Sequence, residues 1–375
     1  MPEPPFDAFR YAHERYHEIA WMCQNTNHLV PREAIEPALI EAVKDRRYPM
    51  YPLASGDPEL IELLRLGLGT PLQFPPFLTG GGTEALYMLT RALLGPGDEL
   101  LASDPSYFII HRFAELTGAK VRNLPIYQPP FRLTSERIQE SIGPQTKMIL
   151  LIDPLNPLGS GYPREEVRAI AEIAHDRHVI LLNDVTYRDF SEHHALATEF
   201  APEDTVVVWS VSKNCGLAGL RLGGFVTNPE FAKQIVRFNT NDLGLNVLAQ
   251  VAAKAAMKSR PQWIGPVRRQ TRANGERIRD AVLQVPGASL PVFPSFANMF
   301  VVDIHETGVS PESLQKELLL RHGVFVRAGN YLSHEFGARF VRVSFSNPTA
   351  DIDRFVQAFP SAVAALRPAR PRAAA

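Results

Sequence analysis

Lys213 stands in Ser210-Val211-Ser212-Lys213-Asn214-Cys215-Gly216, directly after the apolar run Val206-Val207-Val208-Trp209. The chain holds eight lysines against 31 arginines, so a lysine between small polar residues and a glycine turn is conspicuous. Ser210 precedes it by three positions and Arg221 follows it by eight. An amine, a hydroxyl and a guanidinium gathered at a strand end suit an imine formed with a phosphorylated aldehyde: the lysine supplies the nitrogen, while serine and arginine take the phosphate. A surface lysine in a glycine-rich loop would show the same local pattern, so the rest of the chain has to decide.

Other motifs bear on the same chemistry. Gly80-Gly81-Gly82-Thr83-Glu84 follows Phe77-Leu78-Thr79 and opens a helix. Glycines let backbone approach an anion, and the free N–H groups of a first helical turn, here Gly82 and Thr83, point at it. The motif has neither the Lys-Ser/Thr of a nucleotide P-loop nor a dinucleotide fingerprint; a plain structural turn is its other reading. Asp153-Pro154-Leu155-Asn156-Pro157-Leu158-Gly159 sets a loop after an apolar run, at the carboxyl edge of a strand, where doubly wound sheets bind ligands. Asn156 is there either to donate a hydrogen bond to a ring oxygen or to shape an Asn-Pro turn.

Asn183-Asp184-Val185-Thr186-Tyr187 also follows an apolar run. A carboxylate at Asp184 would keep a pyridine nitrogen protonated, because a nearby opposite charge raises that nitrogen's pKa. Tyr187 would aim its hydroxyl into the same crevice. An aspartate at a strand end is otherwise a cap or turn residue. Tyr107, in Asp104-Pro105-Ser106-Tyr107, suits stacking on a flat ring or packing in the core. Arg342 sits inside the apolar run Phe340-Val341-Arg342-Val343-Ser344, where a charge is costly unless paired. Its planar fork suits a ligand carboxylate, with an internal salt bridge as the alternative. Taken together, these residues supply an imine lysine, phosphate donors, a pyridinium partner, groups for a phenolic oxygen, a stacking ring and a carboxylate clamp. One cofactor uses that whole set: pyridoxal 5′-phosphate.

The elements that must position these groups alternate along the chain. Helical patterns at 83–94 and 164–176 interleave with apolar strands at 148–152, 179–182 and 206–209. That alternation predicts parallel β/α units in a doubly wound sheet. Residues 6–21 have roughly helical apolar spacing, a helix is expected up to about Asp45, and prolines and glycine break any regular element over 48–56. A long polar helix is expected over 261–285, then strands at 300–304, 324–327 and 340–345 with a helix near 311–321. The expected fold class is α/β: a large domain with a mostly parallel sheet flanked by helices, plus a small α/β domain. The expected division is 1–47 as N-terminal arm and part of the small domain, 48–260 as the large cofactor-binding domain, 261–366 as interdomain helix and C-terminal small domain, and 367–375 as a disordered tail.

Composition limits the alternatives. At 375 residues the chain can bury a large core, and its net charge of −1 gives no basic footprint for nucleic acid or an anionic membrane. The proline-rich start has no apolar core for a signal peptide, and no apolar run is long enough to span a bilayer. Two cysteines, Cys23 and Cys215, make neither a disulfide framework nor a metal-ligand set, so no metal is expected. Cys215 reads as a small packed thiol. The expected setting is cytoplasmic.

Motifs of the forms Asn-Pro-x-Asn-Pro-x-Gly (here opening with Asp153), Asp-x-x-Tyr and Ser-x-Ser-Lys followed by Gly-x-Arg appear in order, and the chain resembles the fold-type I, class I/II aminotransferases over nearly its whole length. The resemblance implies Lys213 as the Schiff-base lysine. It further implies Ser210, Arg221, Gly82 and Thr83 on the phosphate, Asp184 at the ring nitrogen, Asn156 and Tyr187 at the ring hydroxyl, Tyr107 stacked, and Arg342 on the substrate's α-carboxylate. Tyr51, five residues before Gly56, resembles the family tyrosine that reaches the neighbouring subunit's phosphate, which implies a homodimer. Asn25-Thr26-Asn27-His28-Leu29, Arg47-Tyr48-Pro49 and Pro294-Ser295-Phe296-Ala297-Asn298 look like motifs of histidinol-phosphate aminotransferases and threonine-phosphate decarboxylases. The chain departs from those patterns at His28, usually proline, at Asp153, usually asparagine, and at Leu158, usually threonine. The implied activity is transfer of an amino group between an L-amino acid and a 2-oxo acid, with Lys213, Asp184 and Tyr187 as catalytic residues. His28 is the candidate for a specialised substrate contact. A lyase, decarboxylase or cyclase on the same scaffold is the alternative reaction. An aminotransferase-like DNA-binding regulator is a further alternative, disfavoured by the short N-terminal arm.

Overall fold

The computed structural model describes residues 6–71 and 73–368. Most of the tail expected over 367–375 and the first five residues of the N-terminal stretch lie outside the described residues.

The centre is a seven-stranded sheet in the order Phe77–Thr79, Gly223–Thr227, Thr205–Ser210, Ile180–Asp184, Thr146–Ile152, Glu99–Asp104, Lys120–Pro125. Only Gly223–Thr227 runs antiparallel to its neighbours. Strands such as Met148-Ile149-Leu150-Leu151-Ile152 and Val206-Val207-Val208 are apolar on both faces, because helices cover both sides of a parallel sheet. Gly82–Leu93 and Arg164–Asp176 supply two of those covers, each burying one apolar stripe. The expectation of a mostly parallel α/β sheet is met.

Several elements differ from the sequence reading. Glu99–Asp104, Lys120–Pro125 and Gly223–Thr227 were not among the expected strands. Lys120–Pro125 is an edge strand with most side chains exposed, so it carries little apolar signal. The pair Gly223-Gly224 has low strand propensity, yet it is a strand where backbones crowd: a Cβ on Gly224 would lie 2.0 Å from the Phe77 carbonyl oxygen. The helix expected over 261–285 begins much earlier, as Val247–Leu283, capped by Asn246, whose side chain accepts from the Ala249 N–H. Pro261 and Pro266 lie inside it. Local rules end or start a helix at proline; here burial of Met257, Trp263 and Val267 on one side outweighs that preference.

Three of the remaining strands form a separate antiparallel sheet, Arg327–Ala328, Phe340–Ser344, Met299–Asp303. Its Phe300, Val341 and Val343 share a core with Leu314 and Leu318 of helix Pro311–His322 and with Phe355 and Phe359 of helix Thr349–Leu366, a helix the sequence reading did not expect. The strand expected at 324–327 is split: Val324–Phe325 pairs in parallel with Ala20–Trp21, while Arg327–Ala328 turns to pair with Phe340–Ser344. The helical pattern read over 6–21 is therefore only partly helix, Ala8–Glu14, and its end is a strand held by this region.

Candidate active site

The carboxyl ends of the parallel strands open on one side of the sheet, and all but the edge strand Lys120–Pro125 deliver a residue to the space there. All the residues nominated for chemistry except Tyr51 and His28 line one cavity there, of about 260 Å³.

Lys213 is the third residue of the short helix Val211–Asn214, whose cap is Ser210: the serine hydroxyl accepts from the Ser212 N–H at 3.1 Å. The Lys213 Nζ donates to the Gln24 carbonyl at 2.7 Å. Burial pulls this amine down to about 8, and the Arg342 and Arg221 guanidinium charges push in the same direction.

The anion end is built from backbone. Gly81 has φ 101°, a conformation that favours glycine, and precedes helix Gly82–Leu93 without any side-chain cap. The first N–H groups of that helix are thus left for a ligand. A Cβ on Gly81 would sit 2.5 Å from Arg221 Nη2, so the guanidinium lies directly over the glycine turn. Arg221 itself adopts φ 58°, a sparsely populated conformation for a side-chain-bearing residue, and is anchored by donation from Nη1 to the Ala218 carbonyl at 2.9 Å. A hydroxyl, a guanidinium and a helix N-terminus converge as phosphate donors do.

Asp184 is buried at the end of its strand. One carboxylate oxygen accepts from the Thr186 N–H at 3.0 Å and the Thr186 hydroxyl at 2.6 Å; the other accepts from no described residue. Burial raises its pKa, and the Thr186 bonds oppose that only in part. A cationic N–H is the partner that would satisfy it. The Tyr187 hydroxyl accepts from Asn25 Nδ2 at 3.1 Å, and burial pushes this phenol up to about 12, so it is neutral. Tyr107 is half-buried, its hydroxyl 3.5 Å from that of Thr83.

Arg342 settles an open question. It is 7% exposed, and no acid pairs with it among the described residues. Nη1 donates to Asn156 Oδ1 at 2.8 Å, Nη2 donates to the Cys23 carbonyl, and Nε is buried without a partner. The internal salt bridge is absent there, and the fork is left for an external anion. Asn156, bound through its oxygen, keeps its amide N–H groups to donate.

Sequence reasoning missed the segment that ties these groups together. Cys23, Gln24 and Asn25 are consecutive, and they contact Arg342, Lys213 and Tyr187 respectively. Asn298 Nδ2 holds the Asn25 carbonyl at 3.0 Å. Two of these contacts use backbone carbonyls, which no side-chain motif could reveal; Asn25 and Asn298 did lie in noticed motifs. His28, the candidate for a substrate contact, is not among the residues lining this cavity in the single chain. The asparagines on either side of Thr26 turn inward, with Asn27 Nδ2 donating to the Asn214 carbonyl at 2.7 Å, and that leaves His28 on the outer side. Tyr51 is 78% exposed and lines a different groove, beside Met50 and Leu53. Cys215 is packed with Val211 and Leu217, and burial raises its thiol pKa.

Comparison with known proteins follows the same lines. Residues 18–359 match the family described as aminotransferase class I and II. The chain is 27% identical over 329 residues to an aspartate aminotransferase of Pyrococcus horikoshii, covering 84% of this chain and 82% of that protein. It is 31% identical over 321 residues to a chloroplastic histidinol-phosphate aminotransferase of Nicotiana tabacum, covering 83% and 72%. In fold it is similar to the crystal structure of a pyridoxal-phosphate-dependent aminotransferase from Streptococcus suis, with TM-score 0.84, 20% identity and coverage of 99% of this chain and 100% of that one.

The displaced Lys213 amine has a direct readout. In cofactor-free protein, modification of Lys213 by an amine-selective reagent, followed by peptide mapping, is expected to rise with a midpoint near pH 8. The charged form is the disfavoured one, so the neutral amine appears at lower pH than in an exposed lysine. Arg342→Met removes a repelling cation and should move the midpoint upward. A wild-type midpoint near 10.5 contradicts this account of the site.

Proposed function

The chain belongs to the class I and II aminotransferases, and on that footing we propose how its own residues carry out amino transfer. Members of the family use pyridoxal 5′-phosphate, and the reaction moves an amino group between an amino acid and a 2-oxo acid. The observation that carries the assignment of residues is the coincidence, in one cavity, of a lysine driven toward neutrality, a buried aspartate with one oxygen unbonded, and a buried arginine with no acid. The aspartate and the arginine each lack a partner that this cofactor and an amino acid would provide.

In this reading the N–H groups of Gly82 and Thr83, the Ser210 hydroxyl and Arg221 hold the phosphate. Asp184 accepts from the pyridine nitrogen, Asn156 and Tyr187 serve the ring oxygen, and Tyr107 flanks the ring. When bound, the cofactor supplies an aldehyde that condenses with amines and a ring that takes up the electron pair of a bond broken at the substrate's α-carbon. Arg342 binds the substrate carboxylate, braced by Asn156 and the Cys23 carbonyl. Lys213 acts as the general base that removes the proton from the α-carbon, a task suited to an amine whose pKa lies near neutrality. Tyr187 stays a neutral hydroxyl under Asn25.

A second cation bears on the substrate class, although it does not itself line the cavity. Arg327 is the direct cross-strand partner of Arg342, so both side chains leave the same face of the sheet. Its half-buried guanidinium is stacked 3.8 Å from the Tyr331 ring centroid and 4.9 Å from that of Phe9, and burial lowers its pKa with no carboxylate beside it. Two adjoining arginines without acids favour a substrate with two anionic groups. Aspartate, for which one of the relatives is named, carries a second carboxylate away from its amine.

Tyr51 is assigned to the phosphate of a neighbouring subunit in a homodimer. It does not line its own chain's cavity, and it lies among the exposed apolar side chains Tyr48, Met50 and Leu53. The domain division proposed is 48–260 for the cofactor domain and 261–366, with part of 1–47, for the small one. No helix of the described residues is long and apolar enough to cross a membrane. With both cysteines free and buried, a reducing cytoplasmic setting is the proposed location.

Purified protein given candidate amino acids and 2-oxo acids is expected to release the donor's keto acid; release of amine and carbon dioxide instead identifies a decarboxylase. Lys213→Ala should lower the rate by about 10²-fold or more and leave no cofactor fixed to the chain by borohydride. Fixation at another lysine refutes the assignment. Arg327→Gln should cut kcat/KM for an acidic amino acid by about 10–100-fold, the loss of one charged hydrogen bond, while sparing alanine; equal losses for both remove Arg327 from the substrate site. Co-expressed Tyr51→Ala and Lys213→Ala chains should form hybrids more active than either parent, since one of the two sites is then intact. Absence of that gain argues against a shared site.

A further inference from the structure

Asp189 is a buried acid with no place in the chemistry so far: it does not line the cavity, yet it is bonded to the helix that carries Lys213. It sits in the single turn Arg188–Phe190, two residues after Tyr187. Arg260, from the long helix Val247–Leu283, holds both of its oxygens, Nη2 on Oδ1 at 2.6 Å and Nε on Oδ2 at 3.3 Å. Arg268 Nε, from the same helix, donates to the Asp189 carbonyl at 2.5 Å. Burial alone would raise this carboxyl; the Arg260 charge and the hydrogen bonds from Asn214 and Arg260 outweigh it and hold it below the usual carboxylate range. The last of its contacts is with the residue next to Lys213: Asn214 Nδ2 donates to Asp189 Oδ2 at 2.5 Å.

Helix Val211–Asn214 is too short to hold its own geometry, because a first turn fixes several dihedrals for few hydrogen bonds. Ser210 caps its start. Its other end is fixed through Asn214. The Asn214 backbone carbonyl accepts from Asn27 Nδ2 at 2.7 Å, and its Oδ1 accepts from the Cys215 N–H at 2.8 Å. With that oxygen occupied, the Asn214 amide presents a donor to Asp189, and an acceptor must stand opposite it.

We propose that Asp189 is a positioning residue for Lys213: backed by Arg260, it holds Asn214 so that the single helical turn points the Lys213 amine into the cavity. This rests on the reading of Lys213 as the general base. A buried ion pair is a poor source of net stability beside apolar packing of the same volume, but it makes a directional, charge-assisted anchor for a neutral donor. Proton transfer needs the amine within hydrogen-bond reach of the proton it takes, so a small loss of placement is felt in the rate. The effect should fall on kcat, while KM for the amino donor, governed by Arg342, changes little.

Asn214→Ala cuts the link and leaves the pair of Asp189 with Arg260 in place. It should lower kcat about tenfold, with KM nearly unchanged and the visible spectrum showing cofactor bound. In cofactor-free protein the midpoint for modification of Lys213 should move up from near pH 8, because an amine freed from its buried pose charges more easily. Asn214→Asp keeps the acceptor for the Cys215 N–H but sets carboxylate against carboxylate, so its loss of kcat should be at least as large. Adding Asp189→Asn to Asn214→Asp exchanges donor and acceptor and should recover most of that loss. Should either of these fail to fold, Asn214→Ala decides. Wild-type kcat and an unmoved midpoint in Asn214→Ala overturn the proposal, as does full activity in Asn214→Asp. Full activity in Lys213→Ala instead overturns the general-base reading itself.

Discussion

Arg342 is a guanidinium taken out of water with no acid to answer it, and much of the site can be understood from that deficit. Moving such a charge into the interior costs several kcal/mol unless hydrogen bonds and an opposite charge compensate. Here a backbone carbonyl and an asparagine oxygen supply part, and Nε remains unbonded. The same positive field, with burial, drives Lys213 toward its neutral form. Arg221 stands at the opposite side over the glycine turn. The cavity thus holds three basic groups against one acid, Asp184, and that acid is itself only half bonded. In the proposed reading a phosphate and a carboxylate would balance the cations, and a protonated ring nitrogen would balance the acid. The protein stores the charges of its ligands as vacancies in its own pairing.

Precision comes from where the strands end. Thr79, Ser210, Asp184, Ile152 and Asp104 terminate parallel strands on one side of the sheet, so each short turn beyond them delivers a side chain or N–H to a common space. This is the edge at which doubly wound sheets bind ligands. The antiparallel strand Gly223–Thr227 brings Arg221 to that edge from the other direction, just before the strand begins. Arg342 belongs to a different sheet, and residues 23–25 bridge the two, their preceding strand paired with Val324–Phe325. One short segment thereby touches the lysine, the clamp and the phenol at once.

The departures from the usual family motifs have local physical accounts. Asp153, where asparagine is usual, contacts His194 and accepts at one carboxylate oxygen from the Tyr162 N–H, so the extra charge is used within the fold. Leu158, in place of threonine, is fully buried in the large apolar core. His28, in place of proline, lies outside the crevice, and its N–H bonds the Ser346 carbonyl as any residue but proline allows.

The sequence alone carried the α/β class, the parallel strands around 148–152, 179–182 and 206–209, and nearly every group in the crevice. Those signals are local: apolar runs, glycine turns and polar residues at strand ends persist in short windows. The tertiary structure decided what depends on distant partners. Lys213 meets Gln24 across 189 positions, and Arg342 meets Cys23 across 319. Whether Arg342 had an internal acid, whether His28 faced in or out, and where the helix beginning at Val247 would start despite Pro261 were all settled by packing between segments far apart in the chain. Backbone carbonyls leave no trace in residue identity, and the cost of a buried charge depends on its surroundings; both become visible only once the chain has folded.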